Sequence, residues 1–387
     1  MKTLPRVILL VTFITVALSA NVLRAGSADG GSSDDQISAV SRTFVYTITN
    51  PDGPNSIAAY EANSETGELI FLDSYPTGGF GTGRLVDSQS PLVLNSEGTH
   101  LFAVNPGSNN ISVMTIRDDG SLSLVNEPVP SRGVEPAILA LKNDLLYVAN
   151  KGDATNPPSY SGFSVEANGT LTRIKRRITL AIGDNPTHVL FNHNGSMLIG
   201  IRLGTGGLDT FAVRPNGRLS FLSQLNNQRG PFAGVFNPIS PDQLVAADAR
   251  LPGASTYLLS ADGSLSQITS VGNAPERAAC WIVAHPDGQR VWVSNTGTSS
   301  LSLYRIGTMG ELSLAGTRST IAFGRSSFEI ALDPTNRFLY QLNIGAGNQS
   351  INALRLTEGR DGAGLVEIGA IGLPAGSSPI GLVVASR

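Results

Sequence analysis

Short apolar runs that alternate with polar residues recur along the chain from about residue 41, and each repeat passes through a Gly-x-Leu step. An Asp or Asn precedes the glycine in four copies, and such a pair tolerates the positive φ angles of a tight hairpin. Each step therefore predicts a turn between two antiparallel strands. The steps are Gly67-Glu68-Leu69, Gly120-Ser121-Leu122, Gly169-Thr170-Leu171, Gly217-Arg218-Leu219, Gly263-Ser264-Leu265 and Gly310-Glu311-Leu312, with a degenerate copy at Gly362-Ala363-Gly364-Leu365.

A second hairpin precedes this step within each unit. Two hairpins give four strands in a unit of roughly 50 residues, which is the size of a propeller blade. The sequence therefore predicts an all-β fold, a seven-bladed β-propeller with four antiparallel strands per blade. The clearest copies of the second hairpin are Ser96-Glu97-Gly98, Asn194-Gly195, Asp287-Gly288 and Thr335-Asn336.

The two ends of the repeat region predict how the ring closes. The first unit lacks an innermost strand before Thr43, whereas the segment SSPIGLVVASR at residues 377–387 has the pattern of an innermost strand without outer strands after it. We therefore expect the C-terminal strand to complete blade 1 and to leave the ring without an open edge.

Three regions are expected along the chain. Lys2 and Arg6 precede the twelve-residue apolar run VILLVTFITVAL, so residues 1–25 are interpreted as a signal peptide, the alternative being a buried N-terminal helix or a retained anchor. Residues 26–40 are Gly, Ser and Asp-rich and predict a flexible linker. Residues 41–387 form the propeller. We expect a protein that is secreted, or periplasmic in a bacterium, with no membrane span after signal removal.

Composition narrows the range of partners. Only 15% of the residues are charged and the net charge is −3, which argues against a nucleic-acid surface. The local exception is the run Arg173 to Arg177, on the predicted outermost strand of blade 3. The favoured interpretation is that these charges prevent the edge strand from pairing with other strands. The alternative is that they form a site for an anionic ligand. The single cysteine, Cys280, is expected to be a small buried hydrophobe.

Motifs of common catalytic sites are absent from the sequence. There is no Gly-rich phosphate loop, no zinc-ligand spacing among the four histidines and no Gly-x-Ser-x-Gly elbow. We therefore predict neither a cofactor nor a metal site.

The channel mouth is the predicted site. In a propeller, the starts of the innermost strands and the ends of the second strands lie on one face near the central channel. His188, Arg202 and Glu329 are the candidate catalytic residues, with His188 as general base, Arg202 or Arg250 holding a carboxylate or oxyanion, and Glu329 or Asp248 orienting the base. The candidate substrate-binding residues are Asp248, Arg250, Arg277, Trp281, Asn105, Asn150, Asn295 and Asn343.

The four asparagines have a second interpretation. Asn at the end of a strand can hydrogen-bond the backbone of the loop that follows, and this structural role is favoured over ligand binding.

The repeats resemble the lactonase family of seven-bladed propellers, which includes 6-phosphogluconolactonases and a carboxymuconate-cyclising enzyme. The resemblance covers essentially the whole chain after the linker, and VSNTGTSSLSL is also similar to the YVTN-type repeats of surface propellers that bind ligands. The segments that carry the family resemblance are YVANKGD at 147–153, LGTGG at 203–207, AACWIVAHPDG at 278–288, VSN at 293–295 and ALDPTNRFLYQLN at 331–343.

The resemblance implies a cluster of Arg, His and Glu on the channel face, and this chain departs from it. The Arg-His pair expected in blade 5 is Phe232-Ala233, the Glu of that blade falls near Ala249, and the Arg of blade 6 is Thr296. The Pro-Arg-His-Phe of blade 7 is Ser327-Phe328-Glu329-Ile330, and His188 is one residue from the family's His in blade 4. Arginine holds phosphorylated substrates, so a typical 6-phosphogluconolactonase is not expected.

Two hypotheses follow from the sequence. The first is a lactonase-like enzyme that hydrolyses or forms the lactone ring of a small carboxylated substrate at the channel face. The second is a non-catalytic extracellular propeller that binds a carbohydrate, a peptide or a surface partner there. In both cases we expect a monomer.

Overall fold

A computed structural model describes residues 41–319, 326–345, 349–357 and 362–387. The predicted signal peptide and linker lie outside the described residues. The strands of blades 1 and 2 are β1 (Thr43–Ile48), β2 (Pro54–Ala62), β3 (Leu69–Phe80), β4 (Leu92–Leu94), β5 (His100–Asn105), β6 (Asn110–Ile116), β7 (Leu122–Leu124) and β8 (Val129–Pro130). Those of blades 3 and 4 are β9 (Pro136–Lys142), β10 (Leu145–Asn150), β11 (Ser159–Val165), β12 (Leu171–Thr179), β13 (Pro186–Phe191), β14 (Met197–Arg202), β15 (Gly207–Val213) and β16 (Leu219–Asn226).

The remaining strands build blades 5 to 7 and the inner strand of blade 1. They are β17 (Pro231–Phe236), β18 (Gln243–Asp248), β19 (Gly253–Leu259), β20 (Leu265–Gly272), β21 (Ala279–Ala284), β22 (Arg290–Asn295), β23 (Ser300–Ile306), β24 (Leu312–Ser319), β25 (Ser326–Leu332), β26 (Phe338–Ile344), β27 (Ser350–Leu356), β28 (Leu365–Gly372) and β29 (Ile380–Ser386). Within the described residues the only helical element is a three-residue 3-10 turn, Gly362–Gly364.

The strands form seven antiparallel sheets, each running from an inner to an outer strand, which confirms the predicted seven-bladed propeller. One outer strand differs from the expected pattern. In blade 2 it is broken into β7 and β8, which both pair with β6. Pro128 and Pro130 lie at this break, and proline cannot donate to a strand ladder.

The ring closes as expected. Strand β29 pairs with β1 from Thr43 opposite Ser386 to Ile48 opposite Ile380, so blade 1 is built from the two ends of the propeller region. The Thr47 hydroxyl also donates to the Gly381 carbonyl at 2.6 Å. Strand β1 thus has a strand partner on each of its two edges.

The outer hairpins tie each blade to its neighbour. The glycine of the Gly120 step has φ +81°, and a Cβ there would lie 2.3 Å from the ring of Phe44 in blade 1. The Tyr46 hydroxyl donates to the Gly120 carbonyl at 2.9 Å, and Tyr340 does the same to Gly67 at 3.1 Å. The repeated glycines therefore serve both the turn and the contact between blades.

The inner strands change in burial along their length. In β13, β17 and β21 the first four residues are buried and the last two are half-buried. Because these strands line the central channel, the channel is filled where they start and open to solvent where they end.

Candidate functional site

Three aromatic side chains fill the channel near the starts of the inner strands. The ring of Trp281 lies 5.0 Å from that of Phe232 and 4.7 Å from that of Phe328, measured between centroids. All three are at most 5% exposed. Phe232 and Phe328 occupy positions where the family resemblance implies Arg, so aromatic side chains lie where the resemblance predicts cations.

The segment from Ser88 to Ser90 crosses the same end of the channel. The Ser88 carbonyl accepts from Trp281 Nε1 of blade 6 at 2.8 Å, and the Gln89 N–H donates to the Thr187 carbonyl of blade 4 at 2.9 Å. The Ser90 carbonyl accepts from the Leu139 N–H of blade 3 at 2.8 Å. Residues of several blades thus hold Ser88 to Ser90 in place, and together with the aromatic cluster they close this end.

A cavity of about 590 Å³ lies on the other side of this closure. It runs from Gln89 and Ser90 to Pro286 and Asn336 in the first hairpin turns of blades 6 and 7. Most of its wall is aliphatic and comes from the half-buried ends of the inner strands. The accessible part of the channel is therefore a cup at the face opposite the one that the sequence pattern favoured.

The Glu329 side chain lies at the bottom of this cup. Its Oε1 accepts from the Ser90 N–H at 2.9 Å and from Gln89 Nε2 at 3.5 Å. Its Oε2 has no hydrogen-bond partner of ordinary geometry among the described residues. Burial raises the pKa of Glu329 to about 8, and the backbone N–H groups of Ser90, Gly381 and Leu382 only partly oppose that shift. The carboxyl group is consequently poised to gain or lose a proton near neutral pH.

His188 lines the same cavity and is 6% exposed. Its Nδ1 accepts from the Gly234 N–H at 3.2 Å, which places the proton of the neutral ring on Nε2. Nε2 lies 3.5 Å from the Ser90 hydroxyl. Burial lowers the pKa of His188 to about 3. This imidazole is thus a neutral N–H donor, which differs from the role of general base assigned to it from the sequence.

Arg202 is held elsewhere in blade 4. Its guanidinium pairs with Asp184 at 2.6 Å and with Asp209 at 2.7 Å, and its side chain is 8% exposed. Thr205 accepts a further hydrogen bond from Arg202 at 2.8 Å. Arg202 does not line the cavity, so the structure does not bring it together with His188 and Glu329.

The other charged candidates also lie away from the cavity. Asp248 is fully buried and accepts from Arg229 Nε at 2.7 Å and from the Ser255 hydroxyl at 2.5 Å. Arg250 donates to the carbonyls of Leu203 and Gly204. The Arg277 side chain is exposed at the face of the strand starts.

The four asparagine candidates are buried within the blades. Asn105 donates to Asn110 Oδ1 at 2.8 Å and to Ser112 Oγ at 2.7 Å, and it accepts from Thr77 Oγ1 at 2.7 Å. Asn295 bonds Ser300 and Ser302 in the same way, at 3.0 and 2.9 Å. Asn150 donates to Ser159, and Asn343 donates to the Gln341 carbonyl. These contacts support the structural interpretation, with neighbouring strands rather than the following loop as the main partners.

Reasoning from the sequence missed two features of the channel region. Gln89 and Ser90 enter the channel because Ser90 adopts a left-handed conformation, φ +63°, which no residue pattern announces. Lys151 lines a separate cleft of about 400 Å³ at the strand-start face and donates to Asn185 Oδ1 at 2.9 Å. Burial lowers the pKa of Lys151 to about 8. Lys151 directly follows the candidate Asn150 in the segment YVANKGD, and this position could have marked it as a residue of the strand-start face.

In the described ranges, no group of three His, Cys, Asp or Glu side chains could hold a metal ion. The same residues include no helix with the length and hydropathy of a membrane span.

The chain is similar to known proteins in sequence and in fold. No protein-family model matches the chain. The 6-phosphogluconolactonase of Bacillus subtilis is 24% identical over 318 residues, which cover 79% of this chain and 75% of that protein.

Solved structures show the same fold. The periplasmic gluconolactonase of Pseudomonas aeruginosa superposes with a TM-score of 0.72 at 17% identity, covering 89% of this chain and 99% of that one. A protein from Lactobacillus plantarum superposes with a TM-score of 0.70 at 20% identity, covering 90% of this chain and 100% of that one. The sequence relative and the seven-bladed ring together support the assignment of this chain to a lactonase-like family of β-propellers.

Proposed function

We propose that this protein is a lactonase-like enzyme that opens or closes a small lactone ring in the central cavity. One observation carries the proposal: the buried Glu329 carboxyl lies in the described lining of a cavity with no Lys or Arg beside it, and burial raises its pKa to about 8. Perturbed carboxyl groups in concave sites are typical of acid–base catalysts.

Glu329 and His188 are the two cavity residues that would act in ring opening. The ionised Glu329 accepts a proton from water as the water oxygen bonds to the lactone carbonyl carbon. His188 Nε2–H donates to the carbonyl oxygen, on which negative charge develops. The ring C–O bond then breaks, and the proton on Glu329 passes to the departing ring oxygen to give a hydroxy acid. Ring closure is the reverse sequence.

The cavity favours an uncharged ring. Among the residues that the structure places around it, no Lys or Arg contributes to the wall, so a phosphate or carboxylate group would lose its hydration without a compensating cation. We therefore prefer an unphosphorylated, uncharged lactone to the small carboxylated substrate that the sequence suggested. The hydroxy-acid product would leave through the open end of the cup.

A secreted or periplasmic location belongs to the same proposal. The signal-like residues 1–25 support it, as does the similarity to a periplasmic gluconolactonase.

The test is turnover of purified protein on δ-valerolactone, δ-gluconolactone and 6-phosphogluconolactone. We expect the first two to be hydrolysed and the third to be poor, with kcat/KM rising to a plateau above about pH 8 as Glu329 ionises. Glu329→Gln should lower kcat by about 100-fold or more.

The matched control is Glu276→Gln, because the Glu276 carboxylate accepts hydrogen bonds from Thr298 and Ser300 and does not line the cavity. Full activity of Glu329→Gln would contradict the proposal.

A second candidate is a propeller that only binds an apolar ligand. The aliphatic wall of the cup supports this alternative. Uptake of a small apolar compound seen by native mass spectrometry, without hydrolysis of any lactone at any pH from 6 to 9, would favour it over the enzyme.

A further inference from the structure

A concentrated group of cations lies on the outer edge of blade 3, far along the blade from the channel. Four basic residues lie on the single strand β12, and the four are exposed. Arg132, from the loop before β9, donates to the Ile174 carbonyl of β12 at 2.9 Å, and its own carbonyl accepts from Arg177 at 2.6 Å. We call this set the basic edge; it consists of Arg132, Arg173, Lys175, Arg176 and Arg177.

No carboxylate neutralises the basic edge. None of its five members forms a salt bridge within the described part of the chain. The pKa of Arg132 lies below the ordinary value because of burial first, and then because of the positive charges of Arg173 and Arg177. The cations therefore repel one another, and this repulsion lowers the stability of the folded protein. The β-propeller fold does not need these charges.

Edge protection does not explain this concentration. The outer strands of the other six blades, as the structure describes them, are equally exposed to edge pairing and contain a single basic residue among them, Arg318 of β24. One charge or none is enough in those blades. The charges of β12 thus need another reason.

Two arginines of the basic edge have a left-handed backbone conformation. Bulges between the two outer strands occur in five other blades as well, and in blade 3 a bulge interrupts the pairing of β11 with β12 between Ser161 and Phe163. Arg176 within it has φ +75°, and Arg132 beside it has φ +69°. Long side chains adopt this left-handed conformation at a cost, and such strain tends to occur where a site is held in a particular geometry.

A groove of about 420 Å³ adjoins the basic edge between blades 3 and 4. Arg173 and Lys175 line it from β12, and Arg218 lines it from the outer hairpin of blade 4. Asp144 is the one acidic side chain in that described lining, and no aromatic side chain contributes to it. The groove lining therefore carries three basic side chains and one acidic side chain, which gives it a net positive charge.

We propose that the basic edge and this groove bind a linear acidic polysaccharide, with sulfate or carboxylate groups contacting the five cations and Arg218. Charge complementarity selects an anion, and guanidinium groups suit sulfate and carboxylate oxygens. Single-stranded nucleic acid is disfavoured because the lining lacks an aromatic platform for base stacking. A planar bilayer is disfavoured because it cannot enter a groove. The proposal does not depend on the lactonase activity.

The probe is fluorescein-labelled heparin, followed by fluorescence anisotropy with full-length protein from 50 to 300 mM NaCl. We expect saturable binding that weakens steeply with salt, because counterions are released as the cations contact the chain. Arg173→Ala/Arg177→Ala should weaken binding at least tenfold and lower the slope of log K against log salt by about two. Uncharged dextran should not compete.

The matched control is Arg117→Ala/Arg305→Ala, which removes two exposed arginines from blades 2 and 6 and should change binding less than twofold. A second variant, Arg173→Gln/Arg177→Gln, keeps polar side chains and should behave like the alanine pair if charge is responsible. Equal binding by the control and test variants, or no binding of wild type at 50 mM NaCl, would overturn the site. Tighter binding of a DNA oligonucleotide or of phosphatidylserine vesicles than of heparin would overturn the ligand class.

Discussion

The backbone N–H of Ser90 donates to Oε1 of Glu329 at 2.9 Å, across the channel from blade 2 to blade 7. The same residue presents its hydroxyl 3.5 Å from Nε2 of His188 in blade 4. Ser90 therefore links Glu329 and His188, the two residues proposed to act in catalysis. A segment that closes one end of the channel thereby also builds the bottom of the cup.

Glu329 should make the protein less stable as pH rises. A carboxyl group with an ordinary pKa in the unfolded chain and a pKa of about 8 in the folded protein keeps its proton longer when folded. The free energy of unfolding should therefore fall between about pH 4.5 and 8, by at most about 1.4 kcal/mol per pH unit from this group. Urea unfolding at pH 5 and pH 8 checks this. Glu329→Gln should flatten the decline, and Glu276→Gln should not.

His188 should make the protein less stable in acid. Its pKa is about 3 in the folded protein and near 6.5 in an unfolded chain, so the unfolded state takes up the proton first as the pH falls. Stability should be lost below about pH 6.5 and continue to fall toward pH 3. NMR should show no titration of the His188 ring between pH 5 and 8. A shift in its ring resonances centred near pH 6.5 would contradict the buried neutral imidazole.

Arg202 should matter for stability and not for chemistry. Arg202→Ala leaves Asp184 and Asp209 buried without their cation, and breaking such a pair costs about 3–5 kcal/mol. Chemical denaturation measures this loss, with the exposed Arg250→Ala as the control, expected within about 1 kcal/mol of wild type. At a temperature where Arg202→Ala is folded, its kcat on a lactone should match wild type. A large drop in kcat would place Arg202 in the site after all.

Deletion of residues 378–387 should unfold the propeller as a whole. These residues include β29, the inner partner of β1, and their loss exposes the apolar face of a central strand and opens the ring. Circular dichroism during heating should show no cooperative transition. The control is Arg387→Ala, which removes an ion pair with the exposed Asp118 and a long hydrogen bond to the Gly98 carbonyl and should leave the melting temperature within a few degrees of wild type. A truncated protein that melts normally would contradict this account of closure.

The fold could be predicted from the sequence because the turn chemistry repeats. Asp-Gly and Asn-Gly steps fix hairpins locally, and alternating runs between them leave little choice of strand. The closure by residues 380–386 followed from counting strands. The divided outer strand of blade 2 did not follow, since the repeat pattern gives the number of strands per blade and not a break within one of them.

The candidate site could be predicted only in part, because counting from a hairpin gives the height of a residue along the channel but not the direction of its side chain. His188 on β13 lies opposite Ile201 on β14, so Arg202 is at nearly the same height in the blade. The Arg202 side chain nevertheless points to Asp209 on β15, the third strand of the blade, and away from His188. Trp281 packs into an aromatic cluster whose other members come from blades 5 and 7. Such contacts between distant segments leave no trace in local spacing.

The composite blade 1 has a consequence for folding during synthesis. A nascent chain can pair β1, β2 and β3 as soon as they leave the ribosome, but the inner neighbour of β1 is made more than 300 residues later. Until then blade 1 is a three-stranded sheet with an unsatisfied inner edge, which is the kind of surface that chaperones cover and that aggregates recruit. Local hairpins can form early, whereas the cooperative stability of the ring arrives only with its final strand.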